Sequence, residues 1–287
     1  MKVVIIYNPN STGDSEANAE KLAKELKDAA VDVSTRKTTH AGHGEEIAAE
    51  YVKNNEDIVL ISSSGDGGYH EVINGALSGK NEKLVVGVLA SGNANDHSTA
   101  IGSSSLAKAI VDKDFHHIDT IKVTSTVDGK PWTRYAHSYV GIGVVATAAK
   151  QLTEERPNIF TEKWIVARSL FSFSYVKLIE DGKTRRYSSM LFGNIDTMSK
   201  VLKLSENSSV TDGKFEMSRI RFRSKLRLIA YLISAATIGL KKSQSLQRHE
   251  WTTIKPLPIQ LDGEVYIIDA HSKVVVESIK RNLYCVL

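Results

Sequence analysis

The stretch ISSSGDGGYHEVING, Ile61 to Gly75, follows the apolar run Ile58 to Ile61 with Gly-Asp-Gly-Gly and then a helical pattern. Four consecutive apolar residues read as a buried strand of a parallel sheet, because a strand covered on both faces has no polar side to alternate with. Glycines reach backbone angles that other residues reach only at a steric cost, and they let a backbone come close to something else. The spacing therefore predicts a strand, a bared turn and a helix from about Tyr69 to Leu77. Three explanations suit such a turn: a phosphate, a tight turn needed only for packing, or the start of a dinucleotide site.

Working outward, Val3 to Tyr7 is a second buried-strand pattern, and NPNSTGD after it is a loop. Ser15 to Ala30 places Ala19, Leu22, Ala23 and Leu26 at helical spacing, with Asp14 or Ser15 as the N-cap. Val31, Val33 and Thr35 alternate as a strand, Gly44 to Val52 is helical, and Asp57 to Ile61 is the strand that leads into the opening motif. Leu84 to Leu89 is a further strand, followed by the loop ASGNAND. Strands alternating with helices imply a mostly parallel sheet with right-handed crossovers, and such sheets bind ligands at the carboxyl ends of their strands. The loops NPNST, SGDGG and SGNAND all fall at such ends.

From about Ile118 the pattern changes to period-two segments rich in Val, Ile, Tyr and Thr: HIDTIKVTS, RYAHSYVGIG, TRRYSSMLFGN, KFEMSRIRF, WTTIKPLPIQL and EVYIIDA. These predict an antiparallel second domain, interrupted by helices at about Thr161 to Ile179 and Lys225 to Leu240. The expected division is an α/β domain over 1–119 and a β-rich domain over 120–277, with 278–287 packing back on the first.

The chain of 287 residues suits two ordinary domains, and 41% hydrophobic with 24% charged residues is a soluble-protein composition. A net charge of +4 fits phosphate-bearing ligands or an anionic membrane surface and is too weak to argue for nucleic acid. The single cysteine, Cys285, excludes an intrachain disulfide framework and points to a reducing, cytoplasmic compartment. Leu228 to Leu240 is too short for a membrane span of about 20 residues. Its apolar positions recur at helical spacing between basic flanks, so it reads either as a peripheral membrane helix or as a helix packed on the second domain's sheet.

Gly65, Gly67 and Gly68 can point backbone amides at an anion while the following helix offers its positive N-terminal end. The pattern is not a P-loop, because no Gly-Lys-Ser/Thr follows, and it lacks the third glycine of Gly-x-Gly-x-x-Gly. Asp66 would repel phosphate unless a metal ion or a ligand hydroxyl lies between them. Asn95 and Asp96 suit either a helix cap or a ligand contact.

SGDGGYHEVING resembles the Gly-Gly-Asp-Gly-Thr-x-x-Glu-Val-x-Asn-Gly signature of the diacylglycerol kinase catalytic domain family, which includes bacterial lipid kinases, sphingosine kinases and ceramide kinases. NPNSTG is similar to that family's Asn-Pro-x-Ser-Gly loop, LASGNAND to its Pro-x-Gly-Thr-x-Asn-Asp, VTDGKFEM to its Asp-Gly-x-Leu-Asp turn, and LPIQLDGE to its late Asp-Gly-Glu. The five motifs follow the family's order along nearly the whole chain.

The resemblance implies a two-domain architecture of the lipid-kinase and NAD-kinase kind: an α/β nucleotide-binding domain with a mostly parallel sheet, and a β-rich antiparallel, sandwich-like domain. It implies ATP and Mg²⁺ as cofactors and a lipid hydroxyl as acceptor; peripheral membrane contact, no nucleic acid partner, and a monomer or homodimer are expected beside it. Carried residue by residue, it places Asn8, Pro9, Asn10, Ser11, Thr12, Thr38, Ser64, Gly65, Asp66, Gly67, Gly68 and Asn93 at nucleotide-binding positions. Asp212 falls at the metal-associated turn with Ser209 and Lys214, and Glu264 and Asp262 at the positions of the general base. Five departures stand out: Ser64 replaces the signature's first Gly, Gly68 its Thr, Ala90 the Pro of the third motif, Asn93 the Thr of the third motif, and TMSKVLKLS the Gly-rich segment expected before the TDG turn. Two hydroxyls expected near the phosphates are therefore absent from their usual positions.

Overall fold

The computed structural model describes residues 1–11, 13–54, 57–92, 95–101, 105–155, 168, 175–198, 202–203, 208–222, 224 and 243–286. They fall into two compact units, one of residues 1–120 with 280–287, the other of residues 121–279.

The first unit alternates strands and helices: β1 (Lys2–Tyr7), α1 (Ser15–Asp28), β2 (Asp32–Lys37), α2 (His43–Lys53), β3 (Ile58–Ser64), α3 (Asp66–Ala76) and β4 (Leu84–Ala90). The short helices α4 (Asp96–Ile101) and α5 (Leu106–Asp112) follow, and β5 (Phe115–Val127) carries the chain onward. β2, β1, β3 and β4 lie side by side in that order, all parallel, with Lys2 opposite both Asp32 and Ile58, and Ile58 opposite Leu84. Every residue of β3 is buried: Ile58 to Ile61 as an unalternating apolar run requires, and Ser62 to Ser64 with their hydroxyls hydrogen-bonded. On one face Val3, Ile5, Val59, Ile61 and Val85 pack with Ala19, Leu22 and Leu26 of α1 and with Ala109 and Ile110 of α5. α2 and α3 meet through Gly75, where a side-chain Cβ would stand 2.3 Å from the Glu45 carbonyl oxygen.

The ends of α1 show local physics deciding boundaries. Asp14, at the N-cap, lies in the left-handed region and makes no side-chain cap; instead the Ser15 hydroxyl donates to the Asn8 carbonyl at 2.6 Å. Asp14 thus takes the expected N-cap position without a side-chain hydrogen bond to the first turn. At the other end Ala30 turns left-handed and Val31 N–H bonds back to Leu26, closing the last turn.

The second unit continues with β6 (Lys130–Ala136), β7 (Tyr139–Gly143), α6 (Val144–Glu155), β8 (Val176–Glu180), β9 (Lys183–Gly193), β10 (Thr197–Met198), β11 (Leu202–Lys203), β12 (Phe215–Arg221), β13 (Ser243–Leu246), β14 (Arg248–Thr253), β15 (Leu257–Leu261), β16 (Glu264–Ile268) and β17 (Lys273–Val286). Within this unit the pairings of β5 with β6, β7 with β9 and β15, β8 with β9 and β14, β12 with β9 and β13, and β15 with β16 are all antiparallel. The core gathers Val140, Ile142, Met190, Phe192, Phe215, Met217, Trp251, Ile259 and Leu261. Phe192 and Trp251 stack there with ring centroids 5.7 Å apart. β17 begins in this unit against β14 and ends in the first, where Cys285 lies parallel to Val86 of β4.

Three expectations need correction. The helix after the glycine motif begins at Asp66, not Tyr69, so Gly67 and Gly68 belong to its first turn. Residues 176–179 form β8, paired with β9, instead of ending a helix that starts near Thr161; the rest of that helix, except residues 168 and 175, lies outside the described residues. WTTIKPLPIQL is two strands, β14 and β15, separated at Ile254–Pro256. The helix expected over Lys225 to Leu240 also lies outside the described residues.

Candidate nucleotide site

In the first unit the loops after β1, β3 and β4 are knotted together by their own polar groups. The Ser11 hydroxyl donates to the Ser91 carbonyl, and Asn18 Nδ2, on α1, bonds to both the Gly13 carbonyl (3.1 Å) and Ser91 Oγ (3.0 Å). Ser63 Oγ donates to the Ser15 carbonyl at 2.7 Å and lies 3.1 Å from Ser91 Oγ. Ser91 N–H, in turn, donates to the Ser64 carbonyl at 3.0 Å. Parallel strands bring these loops to one edge, and buried hydroxyls then fix their mutual positions.

The glycines serve close approach here, not unusual backbone angles. Gly65 is extended, and Gly65, Gly67 and Gly68 all lack positive φ. A Cβ on Gly92 would stand 2.3 Å from Gly65 Cα, and one on Gly13 would stand 2.9 Å from the Ser91 carbonyl oxygen. Only bare backbones let these loops touch. The first-turn amides of α3, at Asp66 to Gly68, have no acceptor within the helix and carry the positive end of its dipole, which suits an anionic phosphate.

Asp66 spans two loops. Its carboxylate accepts from the backbone N–H of Asp96 (3.1 Å) and His97 (3.3 Å), capping the start of α4 from another element. Asn95, left-handed at φ 54°, turns inward: its amide bonds both ways to Gly92, at 3.0 Å through Oδ1 and 2.8 Å through Nδ2. The Asn95 side chain is thus the loop's internal brace. Asn8 is another, its Oδ1 accepting from Asn10 N–H at 2.9 Å while its carbonyl takes Ser11 N–H and the Ser15 hydroxyl. Pro9 is half-buried beside it, and Thr38 N–H extends the β1–β2 ladder to the Tyr7 carbonyl. Thr12 and Asn93 lie outside the described residues.

Sequence reading missed Ser91, Asn18, Ser63 and Glu71. Glu71 reaches from α3 to the β2–α2 loop, where its two oxygens accept from Gly42 N–H (2.8 Å) and Gly44 N–H (3.1 Å). Ser91 lies inside a quoted loop and Glu71 inside the opening motif, so position alone offered a signal for both. Ser63 lies inside the opening stretch as well, whereas nothing in the residue pattern marks Asn18.

In the second unit Asp262 and Glu264 share a turn but not an environment. Asp262 is fully buried, and its carboxylate accepts from three successive backbone N–H groups: His137 (2.9 Å), Ser138 (2.9 Å) and Tyr139 (3.0 Å). His137, also fully buried, places Nε2 3.4 Å from Asp262 Oδ2 and Nδ1 2.7 Å from Ser138 Oγ. The Asp262 carboxylate is therefore occupied by backbone amides, away from solvent. Glu264, exposed at the start of β16, is the carboxylate on this turn that solvent reaches. Asp212 is exposed, with one oxygen accepting Lys214 N–H at 2.9 Å, which uses one of a carboxylate's four lone-pair positions. Ser209 Oγ bonds within the same turn to Thr211.

Residues 2–123 match the family model of the diacylglycerol kinase catalytic domain. The Bacillus subtilis (strain 168) protein named diacylglycerol kinase is 24% identical over 284 residues, covering 91% of this chain and 88% of its own length. The Klebsiella pneumoniae (strain 342) protein named "Probable lipid kinase YegS-like" is 32% identical over 110 residues, 37% of this chain and 36% of that protein. A crystal structure of a diacylglycerol kinase from Bacillus anthracis strain Sterne superposes with a TM-score of 0.72 over 99% of this chain and 96% of that one, at 18% identity, which establishes the shared fold.

Against the diacylglycerol kinase signature, two of the departures prove to be one. A Cβ on Gly68 would lie 2.5 Å from Ser64 Oγ and 2.6 Å from Ser64 Cβ, so positions 64 and 68 cannot both carry side chains without rearrangement. Where the signature has Gly and then Thr, this chain has Ser and then Gly. The Ser64 hydroxyl, 2.7 Å from Ser62 Oγ and 3.0 Å from the Gly65 carbonyl, fills the space the exchange opens.

Proposed function

We propose that this protein is an active ATP-dependent lipid kinase that transfers the γ-phosphoryl group to the hydroxyl of a diacylglycerol-like or sphingoid lipid. The observation that carries this reading is the clasp of loops at the N-terminus of α3, inside the segment that matches the catalytic domain family: Ser11, Asn18 and Ser91 bind the edge together while Gly65 and Gly92 keep it bare. In the step itself the lipid oxygen bonds to the γ-phosphorus as its bond to the β–γ bridging oxygen breaks, ADP leaves, and the lipid's proton passes to a carboxylate. Glu264 is proposed as that carboxylate, held in place by the turn that Asp262 anchors. Asp212, with Ser209 and Lys214, is proposed to hold Mg²⁺, which would neutralise phosphate charge during transfer. A salt-sensitive, peripheral encounter with an anionic lipid surface accompanies this reading.

The test is incubation with labelled ATP and a total lipid extract, identification of any labelled lipid, and a parallel nucleotide-binding titration. Glu264→Gln should bind Mg-ATP like the wild type while turnover falls by about 10²-fold or more. Nucleotide binding with no labelled lipid from any extract would replace this reading with that of a nucleotide-binding protein that has lost turnover.

A further inference from the structure

We propose that His40, His43 and Glu46 form a binding site for a borderline divalent metal ion such as Zn²⁺, independent of the Mg²⁺ of the kinase reaction. The three residues recur at every third position across the β2–α2 loop and the first turn of α2, and a ligating atom of each lies within 4.8 Å of the others. His40 Nε2 is 3.7 Å from Glu46 Oε2, and the two imidazoles stack with centroids 4.7 Å apart at 18°. Zinc ligands at 2.0–2.2 Å in a tetrahedron stand about 3.3 Å from each other, so rotation of these solvent-facing side chains closes the gap.

What must not move is the backbone, and it is pinned. Glu71 holds Gly42 N–H and Gly44 N–H from α3, His43 N–H bonds to the His40 carbonyl at 3.2 Å, and Glu46 N–H to the Gly42 carbonyl at 3.1 Å. His40 has an outer partner of the kind that orients a metal-binding histidine, whereas the Thr39 N–H bond to His43 must give way when a metal binds. His40 Nδ1 is 3.0 Å from the Ala41 carbonyl, which can only accept, so a metal-bound ring would keep its proton on Nδ1 and offer Nε2 to the ion beside Glu46. His43 Nδ1 is 3.1 Å from both the N–H and the hydroxyl oxygen of Thr39. A metal at His43 Nε2 moves the ring proton to Nδ1, which then donates to the Thr39 hydroxyl while the exposed Thr39 N–H turns to water. The fourth position stays open to water.

Two imidazoles and one carboxylate favour Zn²⁺, Co²⁺ or Ni²⁺ over Mg²⁺, which prefers oxygen ligands and keeps its water. Such an ion would fasten the loop just beyond Thr38 to α2. The test is calorimetric titration of the full, tag-free chain with Zn²⁺, and with Co²⁺ followed by its visible absorption. The expected result is one ion per chain with low-micromolar affinity, unaffected by excess Mg²⁺. His40→Ala and His43→Ala should each weaken it about tenfold or more, with both variants still unfolding cooperatively in metal-free thermal melts. Zn²⁺ binding of wild-type strength in both histidine variants, or binding only at millimolar Zn²⁺, would overturn the proposal and leave His40 and Glu46 as a plain ion pair.

Discussion

Asp-Gly occurs at 66–67, 128–129, 181–182, 212–213 and 262–263, and comparing the turns at 181 and 262 shows what the dipeptide alone does not fix. Both close two-residue hairpins, between Glu180 and Lys183 and between Leu261 and Glu264. Both put Asp and Gly at positive φ, 51° and 71° in one, 50° and 103° in the other, the primed turn that matches strand twist. Asp181 is exposed, whereas Asp262 is buried on the amides of residues 137–139. Backbone geometry thus makes the turn, and the side chain's surroundings decide whether it also organises a second segment. Asp66-Gly67 is a third case, its aspartate opening a helix and capping another.

The comparison is broken most severely by removing the two aspartates in turn. Asp262→Ala strands three buried N–H groups at about 1–3 kcal/mol each and should cost about 3 kcal/mol or more in urea unfolding. Asp181→Ala loses only the tolerance of Asp for the left-handed region, about 1 kcal/mol. Equal losses would mean that the Asp262 contacts contribute nothing beyond the turn.

A smaller effect sharpens the contrast with the glycines of the first unit, which are required by proximity. Gly68→Thr drives a Cβ into Ser64 and should cost about 1–3 kcal/mol. Ser64→Gly in the same chain should restore most of that loss, because it returns the pair to the signature's arrangement. A double variant no more stable than Gly68→Thr alone would show that the two departures are independent.

These cases mark what was legible in the sequence. The parallel sheet could be read from Val3–Ile6 and Ile58–Ile61, because strands covered on both faces leave unbroken apolar runs, and β12 and β16 could be read from their alternation. The start of α3 was hidden because glycine is a poor helix former, so Gly67 and Gly68 looked like loop although their fold is helical. The clasp through Ser11, Asn18, Ser63 and Ser91 joins residues up to 80 positions apart, and isolated hydroxyls in loops carry no period. For the candidate base, the sequence already favoured Glu264 and left Asp262 to shape the turn; what it did not show is the burial of Asp262 on the amides of residues 137–139, because burial belongs to the packed structure.

The smallest effect tests the exposed end of the same scale. Glu250, on the solvent side of β14, is satisfied by cations where Asp262 is satisfied by amides: Lys273 Nζ at 2.9 Å and Arg248 at 2.9 Å. The Lys273 hydrogen bond, followed by that of Arg248, holds its carboxyl below the ordinary value of 4.5. A depressed folded-state value means that the unfolded chain takes up protons first as the pH drops. The stabilisation is therefore complete above about pH 4.5 and is lost as pH falls through the lower folded value. Because the group is exposed, water and salt screen the effect. Glu250→Gln should make the fall in stability below pH 4.5 slightly shallower than in the wild type, and high salt should make the two curves coincide. Identical acid slopes at low salt would show that the Lys273–Glu250–Arg248 cluster adds nothing to stability and that, of these two carboxylates, only the buried Asp262 holds structure.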